Sequence, residues 1–403
     1  MRGWHSDWSH DLRTFNFLSV VDLFATSRRL NCESEIIRTM SPLELRTHSD
    51  RGAAWRGPVE AQVSQAPARI AICVPARNEA ALLPRLLTGL AAQERSEAFV
   101  LCLLLDGCTD ESERVVTAHR AIVPYDIVTR HIAADATPNA GRARAAAMAL
   151  GLETVGAGGI LLSTDADSVP APDWVATNLA ALDIADVAVG LIVRSGGMPS
   201  PIQDRIEAYY DGLARLRRLL DPIPWESARP HHYTSAASLA CSAQTYAALG
   251  GFDAIPAGED GRLVDTAHRL GMRVRRDGTI RVETSTRREG RALGGLAGHL
   301  RDMDRTAGAS ARMAHPDDVA WRYARHALAR AGWPMLDTTA ESLAAALHRP
   351  VADILAVASA APNAESFAMQ VVPDIPGGER LVNLTTAEAA LSALLLRHAG
   401  ADA

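Results

Sequence analysis

The chain contains no lysine, because all 41 of its basic residues are arginine. This absence excludes mechanisms that depend on a lysine, such as a P-loop nucleotide site or a Schiff base. No GxGxxG follows the first strand-like run, which disfavours a dinucleotide-binding oxidoreductase. The net charge of -6 gives no indication of the basic surface that binds nucleic acid, so nucleic acid is not an expected partner.

Paired cysteines and long apolar runs are also missing. The five cysteines are odd in number and lack CxxC spacing, which indicates reduced thiols in a cytoplasmic protein. No stretch approaches the roughly 18 to 20 apolar residues of a transmembrane helix. The apolar segment 15–25 carries Asp22 and has no convincing cleavage site, so it is a poor signal peptide. We therefore expect no transmembrane segment, and peripheral membrane contact stays open.

The 403 residues, 48% of them apolar, suffice for one large or two ordinary domains. Residues 1–67 show no regular period and are predicted to form a partly disordered N-terminal extension, with Met40 as an alternative start. Residues 68–315 are predicted to form the main domain. Residues 316–403 are rich in alanine and leucine, which predicts a helical C-terminal appendage.

Strand-like apolar runs alternate with helical periodicity through the main domain. This order predicts an α/β fold, with a mostly parallel sheet flanked by helices and joined by right-handed crossovers. Residues 291–331 have a helical pattern as well. The predicted strands are 70–74, 99–105, 125–132, 159–163 and 187–193, and the later segments MRVRR and TIRVE are strand-like as well.

Three acidic motifs carry the predicted chemistry: LLLDGCTD, LLSTDADS and GGFDAIPAGED. The first two follow apolar runs, and residues just past the carboxyl end of a parallel strand face the ligand crevice. Carboxylates gathered there repel one another unless a cation lies among them. A divalent metal bound to a diphosphate satisfies that requirement. The acids concerned are Asp106, Asp165, Asp167, Glu259 and Asp260.

The pair in LLSTDADS is the strongest single motif. Residues two apart in an extended segment point the same way, so Asp165 and Asp167 are predicted to face one ligand with Ala166 turned aside. One carboxylate would hold the metal while the other meets ribose or metal-bound water. The alternative is a pair of exposed loop acids.

Asp106 either accepts an N–H from uracil or guanine, or caps the following turn at Gly107.

Two arginines follow the predicted N-cap Asn139. Arg142 and Arg144 are predicted to lie near a helix N-terminus, which favours anions, and to bind phosphate oxygens through their guanidinium groups. The alternative for each residue is a solvated arginine on a surface helix. Farther along, His231 and His232 are interpreted as ordinary histidines in preference to metal or phosphate contacts.

At another helix start, Asp260 is a candidate general base. Glu259 would orient the acceptor or raise the proton affinity of its neighbour by like charge. The alternative is an acidic N-cap pair. The turn VPARNEA offers backbone groups of Pro75 and Ala76 to a base edge, with Glu79 near the helix start, or it is an ordinary β–α turn.

Five motifs occur in one order: VPARNEA, LLLDGCTD, NAGRARAA, STDADS and GGFD…GED. This order resembles family 2 glycosyltransferases of the GT-A fold over about residues 69–285. The resemblance implies a UDP- or GDP-linked sugar donor, Mg²⁺ or Mn²⁺, and a product of inverted anomeric configuration.

The resemblance also implies roles for individual residues. Asp106 matches the base-binding acid, and Pro75, Ala76 and Arg77 match the segment beside the base. Asp165 and Asp167 match the DXD pair, of which Asp167 is the usual metal contact. Asp260, following Glu259, matches the catalytic base. Apart from the resemblance, Glu79, Arg142 and Arg144 are also predicted to bind the donor.

The chain departs from the family pattern at Leu105, which stands where a second acid usually precedes Asp106. No QxxRW motif is present, which argues against a processive membrane synthase. Two other classes remain open. A nucleotidyltransferase needs a Gly-rich phosphate loop, and VPARNEA offers only Arg77. A non-catalytic nucleotide-sugar-binding protein is disfavoured by the intact acids Asp165, Asp167 and Asp260.

Overall fold

The computed structural model describes residues 69–94, 98–133, 139–290 and 294–399. The predicted N-terminal extension 1–67 and the alternative start Met40 lie outside these residues.

Ten strands are assigned in the described residues. They are β1 (Ile70–Ala76), β2 (Val100–Asp106), β3 (Asp126–Ile132), β4 (Ile160–Ser163), β5 (Ser168–Pro170), β6 (Val187–Ser195), β7 (Leu239–Ser242), β8 (Val274–Ser285), β9 (Met313–Ala314) and β10 (Leu381–Val382).

The same residues form thirteen α-helices. They are α1 (Leu83–Ala91), α2 (Ser112–Arg120), α3 (Ala140–Val155), α4 (Trp174–Leu182), α5 (Pro201–Leu220), α6 (Ala243–Ala248), α7 (Glu259–Arg269), α8 (Leu296–Thr306), α9 (Pro316–Gly332), α10 (Leu336–Leu347), α11 (Val351–Ala360), α12 (Ala364–Val371) and α13 (Leu384–Ala399).

Eight of these strands form one mixed sheet in the order β3-β2-β1-β4-β7-β6-β8-β5. Six of them run in one direction, and only β7 and β5 are antiparallel to their neighbours. The prediction of a mostly parallel sheet flanked by helices is therefore confirmed. Every residue of β2 is buried, as expected for a strand covered on both faces.

Helices cover both faces of the sheet. One core contains the leucine stripe of α1 with α2 and α4, and the other contains α3, α6 and α7. Helix α3 packs very closely on β1. A Cβ added at Gly151 would lie only 2.3 Å from Cys73 Sγ. Small residues therefore let this helix bring its N-terminus to the carboxyl edge of the sheet.

The C-terminal helices pack on the preceding elements. Apolar side chains of α5, α8, α9 and α13 share one core, and those of α9 to α12 share another. Helix α12 contacts α7, where Ser366 Oγ donates to the Arg269 carbonyl at 2.6 Å. The predicted helical stretch 291–331 is two helices, because Ala307 and Gly308 have φ values of 46° and 77°.

In the described part of the chain, no single helix has the length and apolar character needed to cross a membrane. One bent pair, Pro316–Leu347 with Val351–Ala360, meets those criteria by length and composition, with a 117° bend between its members.

Candidate functional site

The predicted acids meet at the carboxyl edge of the sheet. Asp106 is the last residue of β2, and Asp165 and Asp167 lie in the loop between β4 and β5. Because β1, β2 and β4 are parallel, their ends share one edge. Asp260 stands in the first turn of α7, whose preceding loop is held by α3 through the Gly141 N–H donating to Ile255 O at 3.0 Å.

Arg144 connects the β4 side of this site to α7. Its Nη2 lies 2.7 Å from Asp165 Oδ1, and its Nε lies 3.2 Å from Glu259 Oε1. Nη1 donates to Ser163 Oγ at 3.1 Å and to the Ala236 carbonyl at 3.4 Å. Burial lowers the pKa of Arg144, but Asp165 and Glu259 outweigh this and raise it above the ordinary value.

The placement of Arg144 differs from the predicted phosphate contact. The residue is 8% exposed, and all three of its guanidinium nitrogens donate to groups of the protein. Its observed role is to hold Asp165 and Glu259. Its neighbour Arg142 donates its backbone N–H to Asn139 Oδ1 at 2.8 Å, which confirms Asn139 as the N-cap of α3.

A second cation, Arg287, was not predicted. Its Nη1 lies 2.7 Å from Glu79 Oε2, and its Nη2 lies 3.1 Å from Asp167 Oδ2. Arg287 follows β8, which runs parallel to β6, so it arrives at the same edge as the acids. The sequence feature that could have indicated Arg287 is the run STRREG, which follows a strand-like segment. The acids it pairs with lie more than one hundred residues earlier in the sequence.

Asp106 is buried with its two oxygens in different surroundings. Oδ2 lies 3.5 Å from Arg77 Nη1, whereas Oδ1 has no hydrogen-bond partner in the described ranges. Gly107 turns the chain with a φ of 56°. Asn78, with a φ of 53°, accepts the Thr109 N–H at 2.7 Å and ties the ends of β1 and β2 together.

Two carboxylates have strongly raised pKa values. Burial and the charge of Asp165 raise the pKa of Asp167 to about 7, against the opposing effect of Arg287. Burial and the charge of Glu259 raise the pKa of Asp260 to about 7, although Arg144 opposes the shift. Two acids that bind protons near neutrality are the groups from which a general base or a metal ligand is built.

The carboxylates of Asp165 and Asp167 are compatible with a divalent cation whose remaining ligands come from a bound phosphate compound and from water. Across the described ranges, no three His, Cys, Asp or Glu side chains form a self-sufficient metal site. Asp165 and Asp167 are both partly exposed, while Ala166 is buried between them. Mg²⁺ and Mn²⁺ sites commonly use one or two carboxylates together with phosphate and water oxygens, and these residues fit that pattern.

The other predicted residues are placed as follows. Pro75 and Ala76 end β1 beside β2, and the Ala76 side chain is in the core. His231 and His232 are buried; His231 contacts Val189 O, and the His232 ring contacts Asp211 Oδ1 at 2.7 Å. Burial lowers the pKa of His231 to about 3, so this ring is neutral.

A cavity of about 530 Å³ extends from the end of β6 toward α5. Thr286, which forms part of its wall, is the residue before Arg287, the arginine that contacts Asp167. Its polar lining includes Arg194, Asp204, Glu207, Asp211, Tyr233 and Thr286.

A family model described as Glycosyl transferase family 2 matches residues 71–237. No curated protein matches the chain. One similar solved structure is S. aureus TarS 1–349 in complex with UDP-GlcNAc, at 15% identity and a TM-score of 0.42, covering 74% of this chain and 89% of that chain.

Two further solved structures are similar. The mannosyltransferase PcManGT from Pyrobaculum calidifontis, in complex with GDP-Man and Mn²⁺, has 16% identity and a TM-score of 0.42, covering 77% of this chain and 89% of that one. Glucosyl-3-phosphoglycerate synthase from Mycobacterium tuberculosis, with Mn²⁺, UDP-glucose and phosphoglyceric acid, has 20% identity and a TM-score of 0.38, covering 64% and 90%.

Proposed function

We propose, from the membership of residues 71–237 in glycosyl transferase family 2, that this protein is a glycosyltransferase that inverts the anomeric configuration of the sugar it transfers. The donor is a nucleotide-diphosphate sugar, and the acceptor is a hydroxyl. The observation that carries the proposal is the gathering of Asp106, Asp165, Asp167 and Asp260 at one edge of the sheet, two of them with a pKa of about 7.

On the donor side, Asp106 binds the base and the β4–β5 loop receives the diphosphate. Asp167, with Asp165 beside it, would hold Mg²⁺ or Mn²⁺, which when bound neutralises charge on the departing diphosphate. Arg287 already lies 3.1 Å from Asp167 and brings a second positive charge to the same place. Arg144 fixes Asp165, so this carboxylate is preorganised for ribose or for a metal-bound water.

On the acceptor side, Asp260 removes the proton. The acceptor oxygen attacks the anomeric carbon from the face opposite the diphosphate, and the carbon–oxygen bond to the diphosphate breaks with its electron pair leaving on phosphate. The acceptor proton goes to Asp260, whose raised proton affinity comes from burial and Glu259. The Gly261 N–H donates to Asp260 Oδ1 at 2.8 Å and orients the carboxylate.

The cavity beside Thr286 is the proposed acceptor site. Its wall includes Thr286, the residue before Arg287, and its lining contains the carboxylates of Asp204, Glu207 and Asp211 as well as the Tyr233 ring. Carboxylates accept hydrogen bonds from sugar hydroxyls, and an aromatic ring packs on the apolar face of a sugar. These features support a polyhydroxylated acceptor.

Two substitutions separate donor binding from transfer. We expect Asp167→Ala to abolish the metal-dependent part of UDP or GDP binding in titration calorimetry with Mn²⁺. Asp260→Asn should bind the nucleotide like the parent and lose transfer by about 10²-fold or more, because general-base catalysis contributes about that much. Measuring sugar transfer and nucleotide binding on the same preparations provides the comparison.

The exposed pair Arg262 and Asp253 supplies a matched control, since Asp253→Asn also removes a carboxylate near α7 but at an exposed position. Parent-like transfer by Asp260→Asn would contradict the base assignment. A parent that binds UTP or GTP but neither nucleoside diphosphates nor nucleotide sugars would indicate a nucleotidyltransferase instead.

A further inference from the structure

The cavity proposed for the acceptor has an unequal balance of charges. Its ionisable lining residues are Arg194, Asp204, Glu207, Asp211 and Tyr233. Burial and the charge of Glu207 raise the pKa of Tyr233, so its phenol stays neutral. Three carboxylates are therefore set against one guanidinium, and the ionised lining has a net charge of -2.

The one cation of the lining is already held by two of these acids. Arg194 Nε lies 2.6 Å from Glu207 Oε1, and Arg194 Nη2 lies 3.2 Å from Glu207 Oε2. The same Nη2 also contacts Asp204. Because the Arg194 side chain is only 12% exposed, its positive charge is both paired and mostly covered.

The charges that remain open to a ligand are negative. The side chains of Asp204 and Asp211 are 63% and 44% exposed. Burial raises the pKa of Asp211, but a hydrogen bond with His232 outweighs this and lowers it below the ordinary value, so Asp211 is ionised at neutral pH. Even a protonated His232 would leave the surroundings of the cavity negative.

Two chain segments lead from the cavity wall to the proposed chemistry. Tyr233 lies three residues before Ala236, whose N–H donates to Asp260 Oδ2 at 3.4 Å. Thr286 is the residue before the arginine that contacts Asp167. The charge of the lining therefore bears on which acceptors the site admits.

We infer that the acceptor is a neutral or amine-bearing polyol, and that Asp204 and Asp211 reject acceptors that carry a phosphate or a carboxylate. This inference rests on the proposed function. Hydroxyl and ammonium groups donate hydrogen bonds to carboxylates, whereas an ionised phosphate or carboxyl group offers only acceptor oxygens. Such an anion would face the two aspartates without a hydrogen between them and with like charge.

The test incubates the full chain with Mn²⁺, UDP- and GDP-linked sugars and matched acceptors. Glucose, glucosamine, glucuronate and glucose-6-phosphate carry neutral, cationic or anionic groups on one ring, and galactose and mannose supply the same series. Mass spectrometry of the products gives the ratio of transfer to anionic and to neutral acceptors. The neutral or amine-bearing member should be used at least about tenfold better than its anionic counterpart, because like charges brought together at an interface cost at least this factor.

The two ways of failing are distinct. Equal or better use of the carboxylated or phosphorylated acceptor would overturn the inference and leave the proposed function intact. Transfer to no member of any series would count against both.

Isosteric variants separate charge from size. Asp204→Asn combined with Asp211→Asn keeps the volume of the lining and removes its net charge, so the ratio of anionic to neutral transfer should rise about tenfold. Glu388→Gln is the matched control, because Glu388 is also paired with an arginine of α5, Arg205, but is not among the residues that line the cavity. This control should keep the parental ratio.

Circular dichroism and thermal melting establish that each variant is folded. An unchanged ratio in the folded double variant would overturn the inference. Should the double variant fail to fold, Asp204→Asn alone decides the matter, since this side chain is mostly exposed. A ratio equal to that of Glu388→Gln then counts against the inference.

Discussion

Two aspartates set the response of the site to pH at the scale of single residues. Asp167 and Asp260 each have a pKa of about 7, raised first by burial and then by a neighbouring acid. In the proposed function both must be ionised, Asp167 as a cation ligand and Asp260 as a base. The proposed function therefore predicts that acidification lowers activity, because it neutralises groups that are needed as anions.

At saturating Mn²⁺, we expect kcat/KM to rise about tenfold per pH unit below about pH 7 and to level off above it, because only ionised Asp260 accepts the acceptor proton. Rates measured from pH 5.5 to 9 at several Mn²⁺ concentrations test this. Saturating Mn²⁺ displaces the proton of Asp167 but leaves the limb due to Asp260 in place. A flat profile at saturating Mn²⁺ would exclude Asp260 as the base.

Sequence reasoning found the acids but not what holds them. Asp106, Asp165 and Asp167 follow buried strands, and strand ends can be located from apolar runs. The ion pairs of Arg144 with Glu259 and of Arg287 with Glu79 join residues 115 and 208 positions apart. No local pattern encodes such pairs, which is why Arg144 was predicted to contact phosphate and Arg287 was missed.

At the scale of elements, the proposed base Asp260 is positioned by the contact between α3 and the loop before α7. Gly141 is in the first turn of α3, and a Cβ there would stand 2.1 Å from Asp253 O and 2.7 Å from Ile255 O. Backbone atoms cannot move aside as a flexible side chain would. The loop that leads to Asp260 therefore depends on glycine at this position.

Gly141→Ala should lower the free energy of unfolding by about 1–3 kcal/mol, the usual cost of overpacking, and should reduce transfer by displacing the start of α7. Urea denaturation and transfer assays measure the two effects. Gly158→Ala is the matched control, because a Cβ there meets no atom within 4 Å and should change stability by less than about 1 kcal/mol. Equal stability of the two variants would refute the packing argument.

The strands were predictable to different degrees. Long apolar runs predicted β1 and β2 nearly in full, because continuous burial leaves a clear signal, and β3 was predicted to within one residue although only three of its seven residues are buried. The three-residue β5 was not predicted, and neither was the four-residue β7, whose sequence LACS has little periodicity to read. These two supply the antiparallel pairings of the large sheet, so the mixed character of the sheet emerged only from tertiary structure.

At the scale of the whole molecule, a buried ionic cluster joins the C-terminal helices to the α/β region. Arg330 on α9 pairs with Asp221 after α5 and, at 2.6 Å, with Glu365 on α12. Glu365 also accepts from His268 of α7 at 3.0 Å. Both acids are almost fully buried, so their charges depend on Arg330.

Arg330→Met should lower the free energy of unfolding by about 3–5 kcal/mol, because it leaves two buried carboxylates without their cation. Urea denaturation provides the measurement. Arg397→Met is the control, since Arg397 is exposed and lies 3.9 Å from its nearest acid, Asp317, so its loss should cost less than about 1 kcal/mol. Similar losses in both variants would show that the cluster contributes little.

Helix periodicity predicted a helical C-terminal region, but it did not identify its partners. An amphipathic pattern shows that one face of a helix is buried and says nothing about which surface covers it. The contacts of α13 with α5 and of α12 with α7 therefore came from the structure. The domain boundaries at residues 67 and 315 and the cytoplasmic location stay predictions.

The cations that brace the acidic cluster are Arg144 and Arg287, and a guanidinium keeps its proton throughout the range in which proteins are stable. Acid or alkali can consequently alter only the anionic members of the assembly. As the medium becomes more acidic, the carboxylates lose charge while the two guanidinium groups keep theirs, so the net charge of these side chains becomes more positive with no change in the two cations.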